Sequence, residues 1–227
     1  MFFPLDSTML LLIPAFILSI YAQFAVRSAY SKWSHVRSSV GMTGAQVAKN
    51  LLQKNGISDV DIEEVAGTLS DHYDSRAKKL RLSSATFNGS SLASIAVAAH
   101  EAGHAIQHST AYAPLSWRQA VFPIASFGSN WGLWLFFIGM VFSRFSFLTD
   151  LGIVLFAGAV LFHVVTLPVE FNASSRALLA LNNGGYLRNE EIKGAKKVLD
   201  AAALTYVAAA AMAILTLVRL LLLRRDD

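Results

Sequence analysis

The chain has 227 residues, 54% of them hydrophobic and only 15% charged, with a formal net charge of +4. Soluble domains carry about 25% charged residues, so this balance favours lipid. It argues against nucleic acid, because the basic residues flank apolar segments and form no basic block with aromatics. Cysteine is absent, which excludes disulfides, thiolate ligands and cysteine nucleophiles and leaves His, Asp and Glu to hold any metal.

The first apolar stretch runs from Met9 to Val26. No basic residue precedes it and no clear cleavage site follows, so it reads as an uncleaved anchor, not a signal peptide. Arg27, Lys32 and Arg37 come next. Further on, MTGAQVAKNLLQKNG reads as an amphipathic helix capped by Thr43 and ended by Gly56. In LSDHYDSRAKKLRLSS, Leu80 and Leu82 alternate with Lys79 and Arg81, as in a half-exposed strand. LSDHYD is its expected hairpin partner and SRAK the turn. The charges suggest an open sheet edge. An extended substrate could pair there, along Leu80, Arg81 and Leu82. SLASIAVAAHEAGHAIQHS is small and apolar throughout, as in a buried helix.

Three further apolar stretches follow, at Val121–Phe142, Leu148–Leu167 and Ala201–Leu223. Each approaches the roughly 20 residues a membrane helix needs. With four crossings, residues 27–120 and 168–200 lie on one side. They carry ten and five of the Lys and Arg residues, against Arg144, Arg224 and Arg225 on the other side and Arg219 near that end of the last span. By the positive-inside rule the former side is cytoplasmic. The expected organisation is an anchor (1–26), a catalytic part (27–120), two membrane helices (121–167), a cytoplasmic segment (168–200), and a last membrane helix with its tail (201–227).

The chemistry concentrates in His100-Glu101-Ala102-Gly103-His104. Helical positions four apart lie about 40° apart around the axis, so His100 and His104 can aim at one point and supply half of a tetrahedral zinc site. Glu101 lies about 100° round. It can reach a metal-bound water without ligating, the position of a general base. Gly103 costs a helix interior about 1 kcal/mol against alanine, so a close approach by a neighbouring backbone is expected there. The third ligand is open. Glu170 is the best candidate, since two crossings separate it from His104 and a helix continuing through Pro168 would carry it back to the same side. Pairing with Arg176 is its ordinary alternative. His108 and His163 are the other ligand candidates; His35 reads as a surface residue.

HEAGHAIQH, two spans and then LPVEFNASSRAL resemble the YugP-type family of membrane zinc metallopeptidases over essentially the whole chain. The chain is more distantly similar to HtpX-like and CAAX-processing gluzincins. The resemblance implies one Zn2+ per chain held by His100, His104 and Glu170, with Glu101 as catalytic base and a cytoplasm-facing site. Where the wider group has the aspartate of ExxAD, this chain has Ser174. The task of orienting a ligand histidine then falls to Asn172, Ser174 or Arg176. His72, Tyr73 and Arg176 are candidates for contacting substrate and a developing oxyanion.

The expected fold is a mainly α membrane protein: about four transmembrane helices with a small α+β zincin-like domain, its HExxH helix beside a short β-hairpin. The expected function is peptide-bond hydrolysis as a multi-pass protein of a bacterial-type plasma membrane. The expected partners are the lipid bilayer, a protein or peptide substrate, and a membrane-protein partner or second copy of the chain. One alternative is a zinc-binding, non-proteolytic membrane scaffold. Another is a metal transporter, disfavoured because the central parts of the other spans lack ionisable groups.

Overall fold

A computed structural model describes residues 7–225; the first six residues of the expected anchor and the last two of the expected tail lie outside the described residues. Four helices among those described are long and apolar enough to cross a membrane. They are α1 (Ile13–Ser34, entered through a 3-10 turn at Ser7–Leu12), α5 (Ala113–Val141), α6 (Phe147–Asn183) and α7 (Glu190–Arg225). The smaller elements are α2 (Gly44–Lys54), β1 (Asp61–Val65), β2 (His72–Asp74), β3 (Lys79–Ser83), α3 (Ser84–Phe87) and α4 (Leu92–Ser109). The molecule is thus a mainly α membrane protein with a small α+β part. It divides into two compact units.

One unit takes the chain up to Gln23, Ser116–Pro168 and everything from Leu204. Its helices meet through small residues. A Cβ on Gly128 would sit 2.0 Å from the carbonyl oxygen of Leu155, and one on Gly152 would sit 2.6 Å from the amide nitrogen of Phe136. Such seams let backbones approach where lipid offers no hydrophobic drive for association. Phe136, Phe156, Val160, Ala213 and Leu220 fill the interior, while Phe127, Trp131 and Trp134 face outward. Outward aromatics of this kind suit hydrocarbon as solvent. Arg224 donates to Asp150 at 2.8 Å, tying α7 to the start of α6.

The other unit comprises Phe24–Leu115 and Val169–Ala203. α2 begins with a capping box: the amide of Gln46 donates to the Thr43 hydroxyl, and the Gln46 side chain accepts from the Thr43 amide. Val47, Ala48, Leu51 and Leu52 form its buried face. Asn55 closes the helix, and Gly56 follows at φ +71°, the left-handed conformation that commonly ends helices. α4 is buried along most of its length by alanines at 93, 96, 98, 99, 102 and 105. These small side chains let neighbours pack close around it.

The expected turn Ser75–Lys78 is present. Asp74 accepts from the amides of Arg76 and Ala77, the local bond that makes aspartate a turn former. The expected open edge is not present at Lys79–Ser83. The sheet order is β1-β3-β2, with β1 parallel and β2 antiparallel to β3. β3 is therefore the middle strand, and Leu80, Arg81 and Leu82 are not a free track for a substrate. Leu80 and Leu82 are wholly buried. The cations taken as edge protection serve cross-strand pairing. Lys79 and Arg81 pair with Glu63 on β1, and Arg81 pairs with Asp74 on β2 at 2.9 Å.

Candidate metal centre

α4 carries His100 and His104 on one face. α6 continues unbroken through Pro168 and brings Glu170 to them. Gly103 is what lets the two helices meet. A Cβ there would lie 2.7 Å from the carbonyl oxygen of Ala173 and 3.3 Å from its Cα. The backbone of α6 thus occupies the space a side chain would take, three residues beyond Glu170.

The Glu170 carboxylate is 2% exposed. Its Oε2 lies 3.2 Å from His100 Nε2 and 3.6 Å from His104 Nε2. The two imidazoles stand at 84° to each other, with centroids 4.7 Å apart. One ligand atom from each of the three residues falls within 4.8 Å of the others. Ligands 2.0–2.1 Å from a tetrahedral zinc are about 3.3–3.4 Å from one another. The two shorter separations bracket that spacing. Two imidazole nitrogens, one carboxylate oxygen and one open position are also a known donor set of catalytic zinc. The residues present therefore fit the ion.

Burial opposes a charged His104, but the hydrogen bond to Glu170 and the charges of Glu101 and Glu170 prevail and raise its pKa. Glu101 is 8% exposed and accepts no hydrogen bond from any described residue.

The outer nitrogens of both histidines are occupied. His100 Nδ1 lies 3.2 Å from the Ser174 hydroxyl, so the serine at the ExxAD aspartate position touches the first histidine. His104 Nδ1 lies 2.9 Å from Gln107 Oε1. Gln107 Nε2 donates to the Val169 carbonyl at 2.8 Å and to Asn172 Oδ1 at 3.0 Å. Arg176 Nε donates to the same Asn172 oxygen at 2.7 Å, and its guanidinium lies over the Tyr112 ring. Sequence reasoning missed Gln107. Its signal was present: it is the polar residue three positions after His104, on the same face of an otherwise apolar helix.

The remaining candidates are placed elsewhere. The Tyr73 hydroxyl is 2.9 Å from His108 Nδ1, so His108 is bonded to β2 and is not in the three-residue group. Tyr73 turns toward α4, and successive strand residues face opposite ways. His72 therefore faces away, exposed beside Arg81, with Nδ1 2.8 Å from the Ser70 carbonyl. His163 lies on α6 in the other unit, and His35 is exposed as expected.

Residues 8–225 match the model of a family described as "Putative neutral zinc metallopeptidase". A protein of Bacillus subtilis (strain 168) named "Putative membrane protease YugP" is 47% identical over 213 residues, covering 94% of each chain. No solved structure matches.

Proposed function

Given that the chain belongs to this family of neutral zinc metallopeptidases, we propose that it is a membrane-embedded endopeptidase holding one zinc through His100, His104 and Glu170. The observation that carries the proposal is the convergence of these three side chains, from two helices, with ligand atoms within 4.8 Å of one another and both separations from Glu170 close to tetrahedral spacing. A bound zinc supplies Lewis acidity toward a carbonyl oxygen and lowers the pKa of water. Glu101 follows His100 directly on α4, with no hydrogen-bond partner among the described residues, and accepts the proton of the attacking water. It then returns that proton to the leaving amine, so that no charged amide anion need depart. Burial of Glu170 and His104 keeps bulk water from competing for the same positions.

The substrate is a protein or peptide. The outer edge of β2, which among the described residues pairs with β3 alone, is where an extended segment can add as a further strand. Contact of Tyr73 with His108 holds that strand against the zinc-binding helix. The excess of basic residues in 27–120 and 168–200 supports a site at the cytoplasmic face of a bacterial-type plasma membrane. Glu170 lies directly after the third apolar stretch, so cleavage takes place close to the bilayer.

Purified protein in detergent should cleave casein or an unfolded membrane protein. Glu101→Gln should lower that rate by roughly 10²- to 10⁴-fold with zinc content unchanged. An unaltered rate in the variant would refute Glu101 as the base.

A further inference from the structure

We infer that Gln107 is a positioning residue: it fixes His104 as the tautomer whose Nε2 lone pair faces the metal. The inference rests on His104 being a zinc ligand. It follows from donors and acceptors alone. The Val169 group facing Gln107 is a backbone carbonyl, which can only accept. The end of the Gln107 amide at 2.8 Å from it must therefore be the NH2. The same NH2 lies 3.0 Å from Asn172 Oδ1, and that atom is identified as oxygen because Arg176 Nε, a donor only, meets it at 2.7 Å. The oxygen of Gln107 is left facing His104 Nδ1 at 2.9 Å. An amide oxygen only accepts, so Nδ1 must carry the hydrogen. Nε2, on the side of Glu170, then bears the lone pair.

Gln107 is wholly buried, so no water competes for these bonds and no flip of the amide is tolerated. A flip would set NH2 against Nδ1–H and oxygen against two oxygens. His100 differs. Its Nδ1 meets the Ser174 hydroxyl, which can donate or accept and so imposes no tautomer. The two ligand histidines are thus held unequally: His104 is locked from Arg176 and Val169 inward, while His100 adapts.

The test separates orientation from the tie between α4 and α6. Gln107→Met removes both the acceptor and the donor. Gln107→Glu keeps an acceptor for Nδ1–H but loses the donors to Val169 and Asn172. Zinc affinity is read on detergent-purified, metal-stripped protein by competition with a chromogenic chelator, and folding by thermal unfolding without metal. The inference expects Gln107→Met to weaken zinc binding by roughly 10- to 100-fold. Gln107→Glu should restore it to within a few-fold of the unmodified protein, even though it lacks the tie and unfolds at a lower temperature. Equal loss of affinity in both variants, tracking their unfolding temperatures, would show a purely structural tie and overturn the inference. Unchanged affinity in Gln107→Met would overturn it as well. His104→Ala is the control: if it binds zinc as the unmodified protein does, the ligand assignment itself fails, whatever the Gln107 variants show.

Discussion

His104 shows how much one side chain is asked to do. Its ring is buried, yet it is drawn toward the charged form by Glu170 and Glu101. In the metal-free protein a proton is therefore held more strongly than on an ordinary histidine, on the nitrogen that a metal would take. A metal and a proton compete for it. The sign follows: a raised pKa moves the onset of competition to higher pH, and below it each pH unit weakens zinc binding about tenfold per proton displaced. Zinc titrations of metal-stripped protein between pH 8 and pH 6 should show affinity falling as pH falls. A flat profile would contradict this picture of the site. At this scale much was legible in the sequence. His100, Glu101 and His104 follow from helical spacing, and Glu170 from its place after an apolar stretch. Gln107 was not read: its position three residues after His104 is visible in the sequence, but its role shows only once its partners Val169 and Asn172 on α6 are known.

Among the elements, the meeting of α4 and α6 decides the geometry. Gly103 would gain about 1 kcal/mol on becoming alanine in an exposed helix. Here the added methyl meets the Ala173 backbone at 2.7 Å, and backbone does not yield as a flexible side chain does. Overpacking of this kind costs about 1–3 kcal/mol and pushes away the helix that carries Glu170. Gly103→Ala should therefore lower the unfolding temperature and weaken zinc binding together. A higher unfolding temperature with unchanged zinc affinity would show that the close approach is not limiting. The close approach itself could be expected from a glycine in a helix interior. The sheet order could not. β3 shows the same alternation of Leu with Lys or Arg whether it lies at an edge or in the middle, since its cations reach acids on β1 and β2. β1, with three acids in five residues (DIEEV), has too little apolar patterning to announce a strand. It becomes one where Ile62 packs against the core and Glu63 finds Lys79 and Arg81 beside it.

At the scale of the whole molecule, the apolar composition settled the membrane class, and the four apolar stretches correspond to α1, α5, α6 and α7. Hydropathy gave their number but not their length. α6 and α7 continue well past their apolar cores, with 37 and 36 residues, because packing in the second unit holds their polar ends helical. The sidedness proposed above is testable because the chain has no native cysteine. Lys193→Cys should react with a membrane-impermeant maleimide only after cells are opened, and Ser146→Cys should react in intact cells. The reverse pattern would place the site outside. The central claim, a zinc held by residues from two helices, is tested most directly by elemental analysis of detergent-purified protein, unmodified beside Glu170→Ala. One zinc per chain in the former and little or none in the latter is the predicted result; one zinc in both would contradict it.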